Sequence, residues 1–328
     1  MHINTLPISP PIIGLGTAAL GRPGYINLGH AEAFEDGKSV EAMEAQAHKV
    51  LDFAEANGLL YLDAARSYGK AEAFISSWLA KDPARATRFA IGSKWGYTYV
   101  ADWQTQADAH EIKEHSLAKL NEQWPLSQEL LPGLSLYQIH SATFGTGVLE
   151  NEAIHRRLHK LREEYGIAIG LSTSGTDQPA LIEAALKVKV DGKRLFDAVQ
   201  VTYNMLEQST ADQLKKAHDA GLKVIIKEAL ANGRLTAANT DVRFHTETKA
   251  LFDLAQKHQT GIDAIALAFI LKQPFVDIVL SGAATIPHLE ANLKAYTVAM
   301  DGDDLERLAS LDQGADAYWA ARSGMAWN

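Results

Sequence analysis

A single (β/α)8 barrel of the α/β class, a TIM barrel with its active site on the C-terminal face, is the architecture this sequence predicts. Three observations carry the prediction. Eight short apolar runs alternate with longer amphipathic stretches along the 328 residues. The runs are almost continuously apolar, as expected of parallel strands covered on both faces. No linker rich in Pro, Gly or Ser divides the chain, so residues 1–328 are read as one barrel domain.

The predicted strands, in order, are "PIIGLG" (11–16), "LLYLD" (59–63), "RFAIGSK" (88–94), "LSLYQIH" (134–140), "IAIGLS" (167–172), "FDAVQVT" (196–202), "LKVIIKE" (222–228) and "VDIVLSG" (276–282). Helical patterns lie between them. The first covers 42–58, with Gly58 placed to end it in a left-handed conformation. Others cover 110–124, 151–166, 177–188, 210–221, 245–261 and 259–273, and one at 286–296 follows the last strand. Gly14, Gly16 and Ala19 match the G-x-G-x-x-A of a dinucleotide-binding turn. That turn requires a helix at once and an acidic residue about twenty positions later. Here a loop-like "GRPGYINLGHAEAFEDGKS" follows, and eight regular units fit a barrel better than a doubly wound sheet.

Composition excludes several function classes. The formal net charge of −9 disfavours nucleic acid, which needs a basic face. There is no cysteine, so disulfides and thiolate metal sites are excluded. The first sixteen residues lack the basic and apolar regions of a signal peptide, and no apolar run is long enough to span a bilayer. A cytoplasmic protein without membrane or nucleic-acid partners is expected, working as a monomer or weak homo-oligomer.

Chemistry on such a barrel sits where strands end. The second strand ends on Asp63, the third on Lys94 and the fourth on His140, and Tyr68 lies in the loop after the second. Each alone has an ordinary structural reading: an Asp caps a helix, a His satisfies a core, a Lys is solvated. Together they converge on one rim. A phenol, with an ordinary pKa near 10, is a weak acid. A neighbouring ammonium lowers that value and a carboxylate holds the ammonium in place. An imidazole can bond a substrate oxygen. The set suits a proton donor facing a carbonyl, and reduction would need a cofactor.

Those residues carry a resemblance. "LDAARSYG" resembles the D-x-A-x-x-Y-G motif of the aldo-keto reductases, "IGSKWG" their lysine motif and "LYQIH" their histidine motif. "IGLS", "VQVTYN" and "SGAATIPHLEANL" extend the match in the right order over nearly the whole chain. The resemblance implies a nicotinamide-dependent oxidoreductase acting on an aldehyde, ketone or sugar hydroxyl. Tyr68 is then the general acid/base, aided by Lys94 and Asp63, with His140 orienting the carbonyl. It places Gly16 and Thr17 beside the nicotinamide and Ser172 and Gln200 on its carboxamide. Ser281, Gly282, Ala283, His288 and Asn292 fall to the adenosine end, where backbone N–H groups can meet phosphate.

Three departures bear on the cofactor. The family often has Ser-Asn where Ser172-Thr173 stands. It commonly has a stacking tyrosine where Lys227 stands, and Lys227 instead contacts a cofactor phosphate or pairs with Glu228. It often offers Arg or Lys to the 2′-phosphate, whereas Ala283-Ala284-Thr285 has no basic residue before His288. NADPH is the family default, and NADH or dual use is favoured more than usual. Aromatic residues on the mouth loops, Tyr25, Trp95, Tyr97, Phe144 and Trp319, are candidates for the substrate pocket.

Two other functions compete. A non-catalytic cofactor sensor would carry a large apolar patch on the barrel side. A metal-dependent hydrolase needs clustered His and carboxylate ligands. His155 and His159 share a helix face but lack the glutamate of H-E-x-x-H and are expected to face solvent. No metal is expected.

Overall fold

The computed structural model describes residues 1–8 and 11–327. Ser9 and Pro10, within the N-terminal stretch read above, and Asn328 lie outside the described residues. The first strand, β1 (Ile12–Gly16), leads through α1 (Ala18–Gly21) and a long loop to α2 (Val40–Ala56). Ser39 starts α2 by accepting from the Ala42 N–H at 3.1 Å, and Gly58 follows its end at φ +74°. Next come β2 (Tyr61–Asp63), α3 (Ala71–Lys81), α4 (Arg85–Arg88) and β3 (Ala90–Trp95). A hairpin of β4 (Tyr97–Tyr99) and β5 (Glu111–Lys113) then projects before α5 (Leu117–Ser127), β6 (Leu134–Ile139), α6 (Glu152–Tyr165), β7 (Ala168–Ser172) and α7 (Gln178–Ala185). A short hairpin, β8 (Lys189–Val190) with β9 (Lys193–Arg194), precedes β10 (Ala198–Thr202), α8 (Ala211–Asp219) and β11 (Lys223–Lys227). The chain finishes with α9 (His245–His258), α10 (Ile262–Leu271), β12 (Ile278–Ser281), α11 (Ile286–Leu293), α12 (Gly302–Ala309) and α13 (Ala315–Ser323).

Eight strands close a parallel barrel in the order β1-β12-β11-β10-β7-β6-β3-β2. These are the eight predicted strands, with ends shifted by at most two residues. The helix expected over 110–124 is corrected: its first part is β5, paired antiparallel with β4, and the helix begins at Leu117. Ser116 sets that start by accepting from the Lys119 N–H at 3.0 Å, while Glu111-Ile112-Lys113 alternates with the period of a strand. His155 is also corrected. It is buried, not solvent-facing, and its Nε2 lies 2.9 Å from the Val148 carbonyl.

Alternation along the strands divides the molecule. One parity faces the helices and builds the large core, including Leu62, Ile91, Ile139, Leu171, Val201 and Ile226. The other fills the barrel with Tyr61, Leu136, Ile225 and Ile278, closed from below by Ile3 and Leu6. Burying each such aliphatic side chain contributes about 1.5–3 kcal/mol. The Tyr61 ring sets what its neighbours can be. A Cβ on Gly14 would lie 2.9 Å from its ring, and one on Gly92 would lie 2.2 Å from its hydroxyl. The inward parity continues upward from Tyr61 to Asp63 and from Gly92 to Lys94, so the polar groups form the top layer of the same stack.

Two aspartates tie the lower ends. The Asp197 carboxylate accepts from the Ile169 N–H of β7 at 2.9 Å, and its carbonyl accepts from the Lys223 N–H of β11 at 2.8 Å. The Asp277 carboxylate accepts from the Val224 N–H of β11 at 2.7 Å, and its carbonyl accepts from the Ile12 N–H of β1 at 3.0 Å. Among the described residues, no helix is long and apolar enough to cross a membrane.

Candidate active site

Four strands and one loop build the polar centre. Asp63 ends β2, and its carbonyl accepts from both the N–H and the hydroxyl of Thr17, at 2.9 and 2.8 Å. Its carboxylate is shared: Oδ2 lies 2.5 Å from the Lys94 ammonium and Oδ1 accepts from Gln200 Nε2 at 2.7 Å. Lys94 is wholly buried and also donates to the Ala64 carbonyl at 2.9 Å and to the Tyr68 hydroxyl at 3.4 Å. Three oxygen partners match the three N–H donors of the buried ammonium.

The loop that carries Tyr68 is fixed at both ends. The Ala64 and Arg66 N–H groups donate to the Gly92 and Lys94 carbonyls of β3 at 2.8 and 3.0 Å. Arg66 pairs with the buried Glu72, which also accepts from Ser93 and Ser127. Gly69 allows the return over the mouth: its φ is +58°, and a Cβ there would lie 2.4 Å from the Gly21 carbonyl oxygen. The Tyr68 ring then meets His140 edge-on at 5.5 Å, with Arg22 above its face at 5.4 Å.

Charge at the centre differs from the sequence-based expectation. Burial pushes the Tyr68 phenol well above its ordinary value, Asp63 adds to the rise, and Arg22 opposes it. The expected lowering by the lysine is corrected: burial outweighs it, and the Asp63 carboxylate that holds the ammonium itself adds to the rise. Burial also holds the His140 imidazole well below its ordinary value, with Lys94, Arg22 and Lys227 adding to the effect. The phenol is therefore a protonated donor, and the imidazole is neutral with one N–H to give.

These groups open onto one cavity of about 670 Å³. Tyr25, Tyr97 and Trp319 line it, and the Tyr97 ring lies 4.8 Å from His140. Trp95 does not. Adjacent strand residues face opposite sides, so Trp95, next to the inward Lys94, points into the helical core and packs against His115. Phe144 is 43% exposed on a short 3-10 turn and stands away from the cavity. Thr17 and Ser172 are buried beneath the surface, and Ser172 Oγ accepts from the Ser141 N–H at 2.8 Å. Gly16, Gln200, Lys227, Ser281, Gly282, Ala283, His288 and Asn292 all line the cavity.

Lys227 makes neither a clean ion pair nor a free charge. Its ammonium donates to Thr202 Oγ1 at 2.6 Å and Ser174 Oγ at 3.0 Å, and it lies 3.9 Å from Glu228. Burial lowers it to about 8, although Glu228 opposes the shift. Glu228 is gripped by Arg322 at 3.1 Å and by the Tyr318 hydroxyl at 3.2 Å. Burial alone would raise this carboxyl, but Lys227 and Arg322 more than offset it and hold it below its ordinary range.

Sequence reasoning missed Arg22, Glu111 and Lys113, which line the cavity together with Glu228, the partner expected for Lys227. Arg22 pairs with Glu111 at 3.4 Å and lies over the Tyr25 and Trp327 rings at 5.4 and 4.8 Å. Period-two alternation in "HEIKEH" could have exposed the hairpin that brings Glu111 and Lys113. Arg22, a lone residue in a loop, carried no signal.

Among the described residues no group of three or more side chains is arranged to hold a metal ion. A nicotinamide dinucleotide fits better. Gln200 Oε1 is buried without a partner and suits a carboxamide N–H, and a Cβ on Gly282 would meet nothing within 4 Å, so the wall there is open. Ser172 Oγ accepts from the Ser141 N–H and keeps its own O–H to donate, so Ser172 and Gln200 together offer a donor and an acceptor to a carboxamide, while Thr173 is turned to Gln178.

Comparison with known proteins agrees with the geometry. The Aldo/keto reductase family matches residues 13–313. An uncharacterized oxidoreductase, YrpG of Bacillus subtilis, is 24% identical over 301 residues, covering 84% of this chain and 89% of its own. An aryl-alcohol dehydrogenase of Pestalotiopsis microspora is 23% identical over 338 residues, covering 92% of this chain and 84% of its own. The holo form of the aldo-keto reductase AKR11C1 from Bacillus halodurans has the same fold, with a TM-score of 0.69 at 18% identity over 92% of this chain and 91% of that one.

The chain belongs to the aldo/keto reductase family, whose members carry out nicotinamide-dependent carbonyl oxidoreduction.

Proposed function

From that membership we propose that this protein interconverts an aldehyde or ketone, or a sugar's carbonyl, with the corresponding alcohol, using Tyr68 as general acid/base. The observation that carries the reading is the Asp63–Lys94–Tyr68 array, with the ammonium 2.5 Å from the carboxylate and 3.4 Å from the phenol. A bound nicotinamide supplies or accepts the hydride. The phenol, kept protonated by burial, gives its proton to the carbonyl oxygen as negative charge develops there. Lys94 stabilises the phenolate left behind, and Asp63 keeps Lys94 in place. The single N–H of neutral His140 orients the same oxygen. In the reverse direction the phenolate takes the proton.

Gln200 Oε1 holds the carboxamide, Gly16 lets the ring approach, and Ser281 to Asn292 take the adenosine end. Lys227 faces the dinucleotide as a cation. Tyr25, Tyr97 and Trp319 form an aromatic wall that favours a flat apolar substrate, and the aryl-alcohol dehydrogenase relative supports aromatic aldehydes as first test substrates.

The test is a fluorescence titration with NADPH and NADH, followed by turnover of benzaldehyde by the wild type and Tyr68→Phe. Binding of a cofactor with turnover lost in the variant is expected. Binding of neither cofactor, or unchanged turnover, overturns the reading.

A further inference from the structure

The cavity extends well beyond Tyr68. Its far lobe is walled by the end of β12, the start of α11 and the start of α10. A short relay of side chains crosses this lobe. Ser281 Oγ donates to Asn292 Oδ1 at 2.7 Å, and Asn292 Nδ2 donates to Asp263 Oδ2 at 2.9 Å. The serine fixes which way the amide points, and the amide fixes the carboxylate. Asp263 therefore stands on the cavity wall as a held acceptor.

The charge around it is one-sided. Among the described residues that line the cavity between 252 and 292, the one basic side chain is His288, which is exposed. The cavity's other cations belong to the catalytic end. Arg22 is paired with Glu111, Lys113 donates to the Ser141 carbonyl at 3.1 Å, and Lys227 and Arg322 surround Glu228. A carboxylate with a free lone pair suits a pair of ribose hydroxyls, which donate to it. It opposes a phosphate monoester, which carries between one and two negative charges at neutral pH. Dinucleotide sites on other folds use the same contrast, an acidic residue for the 2′-hydroxyl and an arginine for the 2′-phosphate.

We propose that Asp263 is a specificity-determining residue that makes this protein prefer NADH: its carboxylate accepts from the adenosine ribose hydroxyls and rejects the 2′-phosphate of NADPH. The inference rests on the reading that the far lobe holds the adenosine end. Asn292 and Ser281 act as positioning residues for the carboxylate.

The experiment is equilibrium titration of tryptophan fluorescence with NADH and NADPH at low ionic strength, on the wild type, Asp263→Asn and Asp263→Ser. Wild type should bind NADH at least about tenfold more tightly than NADPH, a difference of about 1.4 kcal/mol. Both variants should bring the ratio to within about threefold, chiefly by tightening NADPH. Raising the salt should shrink the wild-type ratio and leave the variants' ratio in place. Circular dichroism checks that the variants fold. Wild-type preference for NADPH, or variants that change both affinities equally, overturns the inference and leaves the oxidoreductase reading intact. Binding of neither cofactor to the wild type overturns both.

Discussion

Replacing Lys94 by Met removes the cation from the most deeply buried ion pair at the mouth. The side chains of Lys94 and Asp63 are 0% and 2% exposed, so water cannot replace the lost ammonium. The Asp63 carboxylate would keep only neutral side-chain partners, Gln200 Nε2 at 2.7 Å and the buried Tyr61 hydroxyl. Stranding a buried charge in this way costs about 3–5 kcal/mol. Asp63→Asn alone strands the ammonium instead, at similar cost. The double variant strands neither, so its loss should fall short of the sum of the singles by about 1–3 kcal/mol. Urea unfolding at pH 7, followed by the fluorescence of the six tryptophans, measures all four corners. A Lys94→Met loss below about 1 kcal/mol, or strict additivity in the double variant, would refute the claim that this pair is a coupled, water-free unit.

Tyr68→Phe should lower turnover by about a hundredfold or more while the cofactor dissociation constant changes less than about twofold, since the phenol acts on the reacting oxygen alone. His115, held by burial at about 4, is neutral in the folded protein at pH 6 and gains a proton only on unfolding. Its contribution is therefore complete above about 6.5 and lost as pH falls toward 4, amounting to about 3 kcal/mol over the window. Unfolding midpoints between pH 7 and 4.5 should fall less steeply in His115→Gln. Lys227 loses its charge above about 8. Affinity for the anionic dinucleotide should weaken as pH rises through that value, by about 1 kcal/mol or roughly fivefold, and Lys227→Met should be weak and flat across the same range.

The barrel was legible because its strands are buried on both faces and read as unbroken apolar runs. The Glu111–Lys113 strand was not, because the hairpin lies outside the barrel and its alternation is short enough to merge with the helix that Ser116 begins. α3 went unassigned because it opens on Lys70 without a capping side chain, directly after the Tyr68 turn. Within the site, Asp63, Tyr68, Lys94 and His140 could be placed because strand ends converge on one rim. Trp95 was misplaced for the opposite reason: a one-residue step along a strand reverses the facing direction, and aromatic character alone does not reveal parity. Arg22 reaches the cavity through contacts between segments far apart in the chain, with Glu111 and with the Tyr25 and Trp327 rings, which no local pattern encodes. Burial overrode the simple expectation for the phenol, since a desolvation effect cannot be read from residue types.

The paired duties of Asp197 and Asp277 have an architectural consequence. Between them, these two residues knit β7, β10, β11, β12 and β1 at the end of the barrel opposite the cavity. Alignment of more than half the staves is thus settled at the foot of the cask. The loops at the rim are relieved of that duty, and their length and composition can drift without opening the wall. A new substrate preference could be grafted onto this molecule by exchanging rim loops, provided both feet stay in place.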